Sequence, residues 1–332
     1  MSAGKRLRDF LLYLPCRCAF VLLACLPRRA GLAIGRCLGH LFYRASPGHR
    51  RIALDNLHRA LGRDVDRRSR ERIARAAFAH LGMICADAAY FPRLVRRATE
   101  RVAVYEGVEY LREAQAEGRG VLLFSGHYGH WELVALLQHR LGVRMAMVVR
   151  PLNNPWFDGM LVRLRRLSGN TLLPKRNAAR GVLRALRDGR VVAILIDQNV
   201  RGEAGIAVDF FGAPASTTPS LATFAFKSGA PIVPVFSYPL PDGRLRIRFE
   251  PPLRALRRGA LQDDVQALTH RCTSILEREV RRRPEYWLWM HNRWRTAPSG
   301  VGSGPRRTDG AGRLDAARQG GGTIARAGAG WP

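Results

Sequence analysis

The chain has 332 residues, 47% of them hydrophobic, which excludes a wholly disordered protein and suffices for one large or two modest domains. Its 55 Lys and Arg against 26 Asp and Glu give a formal charge of +29, nearly all from arginine, and predict an anionic partner, either nucleic acid or an acidic membrane surface. The six cysteines contain no Cys-x-x-Cys pair, which argues against a disulfide frame or a zinc site and for small apolar residues in a reducing compartment.

In chain order, Lys5, Arg6 and Arg8 precede an apolar run from Phe10 to Leu26. Arg17 interrupts that run and Pro27-Arg28-Arg29 follows it in place of a small-residue cleavage site, so the segment is expected to be retained as a membrane anchor. Its length is at the lower limit for spanning a bilayer, and flanking arginines suit an interfacial helix equally well. Ser46-Pro47 is a helix start, followed by an apolar stripe that ends at Gly62. A further basic helix is predicted from about Asp66 to Cys85. These patterns divide the chain into an apolar anchoring segment over 1–45, a basic helical region over 46–100, an α/β core over 101–295 and a Gly/Arg-rich tail over 296–332, expected to be disordered.

From Val102 short apolar runs alternate with helical patterns. Strands are predicted at Val121 to Phe124, Met145 to Val149, Val191 to Ile196, Ile232 to Phe236 and Leu245 to Phe249. Helices are predicted at Trp131 to Leu141, Pro155 to Leu167, Ala178 to Arg187 and Ser220 to Ser228, with a last amphipathic helix through Leu261 to Ile275. Such alternation predicts an α/β fold with a mainly parallel central sheet flanked by helices, with its site at the carboxyl ends of the strands.

The stretch Val121 to Leu133 carries the strongest chemical signal. An apolar strand stops at Gly126, turns through His127 and restarts as a helix with Glu132 in its first turn. That arrangement predicts a general base, with Glu132 fixing the imidazole tautomer. A histidine and a carboxylate at this spacing also occur by chance, and a merely structural histidine is the bland alternative. Ser125 adjoins the motif, but Leu123 replaces the first glycine of a Gly-x-Ser-x-Gly elbow, so attack is expected from the substrate itself. Zinc held by His127, His130 and His139 lacks the His-Glu-x-x-His spacing.

Further on, Arg150-Pro-Leu-Asn-Asn-Pro155 closes the next predicted strand, and Arg163, Arg165, Arg166, Lys175, Arg176 and Arg180 extend a basic path suited to phosphate or carboxylate. Asp197-Gln198 follows the most apolar strand, where a site carboxylate belongs. The segment Val208 to Thr218 reads either as an apolar wall for an acyl chain or as a packed corner of the core. The Trp-rich block at 287–294 reads as an interfacial belt, a lid or a base-stacking surface.

Taken together, the His127 to Glu132 motif, Arg150-Pro with Asn153-Asn154-Pro155, Asp197-Gln198, Asp209-Phe-Phe-Gly212, Gly229 to Pro234 and the terminal Trp-x-x-His-Asn-Arg-Trp-Arg resemble the late acyltransferases of lipid A biosynthesis. These are the lauroyl- and myristoyl-transferase branch of the lysophospholipid acyltransferase superfamily, and the resemblance runs from about residue 5 to 295. It implies transfer of a fatty acyl group from acyl carrier protein to a hydroxyl of a lipid A precursor. His127 and Glu132 would be catalytic, and Arg150, Arg165, Arg176, Arg180, Asp197 and Gln198 would bind substrate. It also implies no metal, nucleotide or other cofactor, with acyl carrier protein, an anionic glycolipid and a membrane surface as partners and no nucleic acid. The site would face the cytoplasm at the inner membrane. His130 departs from the family pattern, standing where many relatives carry asparagine. A related glycolipid acyltransferase, acting on a phosphatidylinositol mannoside or a lysophospholipid, is the first alternative. A basic nucleic-acid- or membrane-binding protein is the second.

Overall fold

A computed structural model describes residues 3–97, 102–136, 140–176 and 178–296. Of the tail expected to be disordered over 296–332, Thr296 is described, its hydroxyl donating to Asn199 Oδ1 at 2.9 Å; residues 297–332 and His139 lie outside the described residues.

Four helices open the chain: α1 (Ala3–Cys25), α2 (Arg28–Ala45), α3 (Pro47–Leu61) and α4 (Arg67–Asp87). Asp66 caps α4 by accepting a hydrogen bond from the Ser69 N–H at 2.6 Å, satisfying one of the free donors of its first turn. Gly31, Gly35 and Gly39 line the buried face of α2, which lies directly on α4. A Cβ at Gly35 would stand 2.6 Å from the Gly82 carbonyl oxygen, and one at Gly82 would stand 2.1 Å from that of Gly35. The two backbones therefore touch with no room for a side chain. Ile34, Leu38, Leu41 and Phe42 occupy the opposite face of α2 and are exposed, as are Leu7, Leu11, Leu14 and Leu22 of α1. Among the described residues no helix is long and apolar enough to cross a membrane. At 23 residues α1 reaches ~35 Å, but Arg6, Arg8, Asp9 and Arg17 fall within it.

After a short helix α5 (Phe91–Arg96), the chain enters a seven-stranded sheet of order β1-β9-β8-β2-β5-β3-β4. Its strands are β1 (Ala103–Glu106), β2 (Val121–Ser125), β3 (Met145–Val149), β4 (Thr171–Pro174), β5 (Val191–Leu195), β8 (Ile232–Pro239) and β9 (Leu245–Phe249). Only the β8–β9 pairing is antiparallel, so the expected mainly parallel sheet is found. Strand β2 is buried along its whole length, as a parallel strand covered on both faces must be. Helices α6 (Val108–Ala116), α7 (Pro155–Arg166), α8 (Ala178–Arg187), α9 (Ser220–Ser228) and α10 (Leu261–Arg282) flank the sheet.

Helix α6, read from no sequence pattern, is one element that escapes, and three strand elements escape with it. Strands β1 and β4 have four residues each, too few to show an alternation. The third is a hairpin of β6 (Ile206–Phe210) and β7 (Ala213–Thr217), turning at Phe211 and Gly212, both at positive φ. The Val208 to Thr218 segment is thus a packed corner: Phe210 and Phe211 are buried against Trp287 and Trp289. The helix expected over Trp131 to Leu141 is a 3-10 turn over Trp131–Leu136, with 137–139 outside the described residues. The first hundred residues share the sheet's cores: Leu57, Phe78 and Phe124 belong to one buried cluster, while Tyr90, Phe91 and Leu123 belong to another.

Candidate active site

Strands β2 and β5 run parallel with Ser125 opposite Leu195, so both end at the same level. Two residues beyond each end, His127 and Asp197 meet. Asp197 Oδ1 lies 2.8 Å from His127 Nδ1, and Asp197 Oδ2 accepts the His127 backbone N–H at 2.7 Å. The same Oδ2 accepts the Trp287 indole N–H at 2.8 Å. The carboxylate, buried to 4% exposure, is thereby fully engaged by donors.

The turn that carries His127 is shaped by close backbone contacts. A Cβ at Gly129, whose φ is +58°, would fall 1.3 Å from the Ser237 carbonyl oxygen, so no other residue fits there. The Gly129 N–H donates to Tyr286 O at 2.9 Å, and the Leu288 N–H donates to His127 O at 3.1 Å. The aromatic block is consequently neither a belt nor a lid. It forms a buried backstop, with Trp287 and Trp289 at 2% and 0% exposure, that grips the turn from behind.

The expected pairing of Glu132 with His127 is not what the structure contains. Glu132 gives both oxygens to Arg165 of α7, accepting from Nη2 at 2.6 Å and Nε at 3.0 Å. The reason is directional: the 3-10 turn carries Glu132 toward α7, while Asp197 already fills the Nδ1 side of the ring. His127 Nε2 is left toward the Gln198 side-chain amide, 3.4 Å away. Both residues line a cavity of about 740 Å³, within the usual range of small-molecule sites.

That cavity has an apolar side, including Leu123, Met147, Ile194, Phe224 and Val235, and a polar rim with Glu132, Arg150, Arg165 and Lys175. Of the expected binding residues, Arg150, Arg165 and Gln198 therefore line it, whereas Asp197 sits beneath it as the partner of His127. Arg176 and Arg180 are exposed and do not line it, and Lys175 stands in their place. Lys175 belongs to the basic path read from the sequence, and Trp287 is the residue whose part was missed. A Trp in so apolar a block needs a hydrogen-bond acceptor, which was the available signal for Trp287.

Charge reinforces the geometry. Burial works against the His127 imidazolium, but the charge and hydrogen bond of Asp197, with a smaller push from Glu132, outweigh it and raise the pKa. Arg165 opposes that rise. Burial would likewise raise the Asp197 carboxyl, yet His127 and the donors around it hold it down at about 2.

His130 faces away from this pair. Its Nε2 lies 3.0 Å from Asp87 Oδ2, at the end of α4, and Arg28, the first residue of α2, grips the same carboxylate with Nε and Nη2 at 2.6 Å each. His127 and His130 thus turn to different carboxylates. Among the described residues, no group of three or more His, Cys, Asp or Glu side chains is disposed to hold a metal.

Residues 6–296 match the sequence family described as bacterial lipid A biosynthesis acyltransferase. The chain belongs to that family. It is an acyltransferase. The lipid A biosynthesis lauroyltransferase of Escherichia coli K12 is 30% identical over 67% of this chain and 71% of its own length. The palmitoleoyltransferase of the same organism is 30% identical over 60% and 63%, and the myristoyltransferase 27% identical over 76% and 77%. Among solved structures, the 1-acyl-sn-glycerophosphate acyltransferase PlsC of Thermotoga maritima matches 79% of this chain and 99% of its own at a TM-score of 0.36 and 15% identity. The matched span of this lipid A acyltransferase family member contains the whole His127–Asp197 site and stops at Thr296.

Proposed function

We propose that this acyltransferase moves a fatty acyl group from acyl carrier protein to a hydroxyl of a phosphorylated lipid A precursor, with no metal or other cofactor. The observation that carries the mechanism is a histidine whose Nδ1 is held by a buried carboxylate and whose Nε2 is directed to a large, half-apolar cavity. Neutral His127 Nε2 takes the proton of the acceptor hydroxyl as its oxygen attacks the thioester carbonyl. The tetrahedral intermediate collapses, the C–S bond breaks, and the imidazolium returns the proton to the departing thiolate. Asp197 holds the ring and stabilises the imidazolium, as a buried carboxylate does in any such pair. Arg150, Arg165 and Lys175 supply positive charge for the acceptor's phosphate or for the developing oxyanion. Arg176 and Arg180 lie outside the cavity, on the approach that an acidic carrier protein would take.

The exposed apolar faces of α1 and α2, flanked by arginines, favour a helix pair lying in the interface of the cytoplasmic membrane with the cavity open to the cytoplasm. The purified chain, given acyl carrier protein loaded with a fatty acid and a lipid A precursor, should yield the acylated lipid by mass spectrometry. An intact lipid A acyl pattern in cells lacking the chain would refute the choice of acceptor.

A further inference from the structure

A second groove, of about 340 Å³, lies on the far side of α7 from the reaction cavity, where α1, the segment Ala88–Tyr90 and α5 meet it. Its floor is apolar: Phe20 from α1 and Met160 and Leu164 from α7. At its mouth stand three exposed arginines from three elements, Arg17 of α1, Arg93 of α5 and Arg163 of α7. Arg163 thereby leaves the basic path read from the sequence, because Leu161 and Arg165 face the reaction cavity while Met160, Arg163 and Leu164 face this groove.

None of the three guanidiniums is ion-paired among the described residues, and the nearby carboxylates are engaged elsewhere. Asp9, the acid of α1, faces Arg8 at 3.6 Å. Asp158, the acid of α7, accepts from the Leu152 N–H at 2.9 Å, and Asp87 is taken by Arg28 and His130. Three like charges drawn together over an apolar floor repel one another unless an anion joins them. The groove also opens beside Val21 and Leu22, exposed by 45% and 68%, so its floor continues into the outward apolar surface of α1. An isolated phosphate would satisfy the arginines but leave the floor uncovered, whereas a lipid satisfies both.

We propose that this groove binds an anionic glycerophospholipid of the surrounding bilayer, its phosphate between Arg17, Arg93 and Arg163 and one acyl chain along Phe20, Met160 and Leu164. The site rests on the interfacial placement of α1 argued above and not on the role of His127.

The test uses the full chain purified in a neutral detergent. Phosphatidylglycerol should raise Tm by several degrees, as a ligand of the folded state does, and phosphatidylcholine and inorganic phosphate should not. The triple variant Arg17→Gln, Arg93→Gln, Arg163→Gln should lose that rise and most of the co-purified phospholipid. A control triple at the remote exposed Arg68, Arg112 and Arg187 should keep both. Equal rises from phosphatidylcholine, a rise from phosphate alone, or an unaffected triple would each overturn the site. Should the triple not fold, a phosphatidylglycerol carrying a diazirine in its acyl chain decides with the unaltered protein: labelling of the Phe20 to Cys25 and Met160 to Leu164 peptides supports the site, and labelling confined to other peptides overturns it. Neither readout requires acyl transfer, so an inactive preparation leaves the result interpretable.

Discussion

Glu132 and Arg165 form a two-pronged ion pair at the rim of the cavity that His127 lines, with side chains 14% and 15% exposed, and Glu132 acts on His127 only through its charge. The two partners therefore pull the imidazole in opposite directions. Replacing Glu132 by Gln removes a carboxylate that favours the imidazolium and should lower the pKa of His127. Replacing Arg165 by Gln removes an opposing cation and should raise it. The acid limb of kcat/KM should move down in the first variant and up in the second. Shifts of the same sign would show that the pair acts on something other than the base.

A general base works unprotonated, and His127 holds its proton to higher pH than a free histidine. The acid limb of the unaltered enzyme should accordingly lie above ~6.5, the ordinary histidine value. His127→Ala should cost about 10²- to 10⁴-fold in kcat, the usual range for such a base. Asp197→Asn should cost a comparable factor and bring the remaining limb below that of the unaltered enzyme. A pH–rate profile of the three proteins checks this.

Trp287→Phe keeps the aromatic bulk and deletes the indole donor to Asp197. Stability should fall by ~1–3 kcal/mol, the cost of leaving a buried acceptor short of a donor. The carboxylate should then hold His127 less firmly, so kcat should fall more than KM changes. Urea denaturation and steady-state kinetics measure the two effects separately.

Asp87 should be the most stability-sensitive acid outside the site. Burial favours its neutral form, but the hydrogen bonds and charges of Arg28 and His130 win and hold it at about 2. Because the folded pKa lies below the unfolded value of ~3.9, its contribution is present above that value and is lost as pH falls toward 2. Asp87→Ala strands Arg28 and a buried histidine and should cost ~3–5 kcal/mol. A variant as stable as the unaltered protein in urea would show the cluster to be incidental.

Gly35→Leu forces a side chain into the α2–α4 contact, where the Gly82 carbonyl leaves no space. The expected loss is at least ~1–3 kcal/mol, as for overpacked cores. Gly48→Ala, in open space on α3, should be neutral or better. Thermal unfolding of the two variants makes the comparison.

The central strands were legible because parallel strands buried on both faces read as unbroken apolar runs, as Val121 to Phe124 does. His127 was legible as the residue where such a run stops at a glycine. Its partner was not, because sequence spacing shows only neighbours along the chain. Glu132 lies five residues from His127, whereas Asp197 lies 70 away and arrives through the β2–β5 register. Asp197 could be flagged by its place at a strand end, but nothing in that place says which side chain it meets. The Trp block was visible as composition, and its burial depended on the β6–β7 hairpin, whose pairing leaves little trace in five-residue strands.

The Arg28–Asp87–His130 tie has a practical corollary. Removing α1, whose outer face exposes Leu7, Leu11, Leu14 and Leu22, has a strict limit. A shortened chain beginning beyond residue 28 would lose the guanidinium that neutralises Asp87, and with it a strut reaching from the head of α2 to the turn that holds His127 and His130. Arg28 Nη1 also donates to the Gly243 carbonyl at 2.6 Å, so the β8–β9 connection would lose an attachment in the same cut. Replacing individual exposed leucines on the outer face of α1 reduces that apolar surface and leaves both attachments in place.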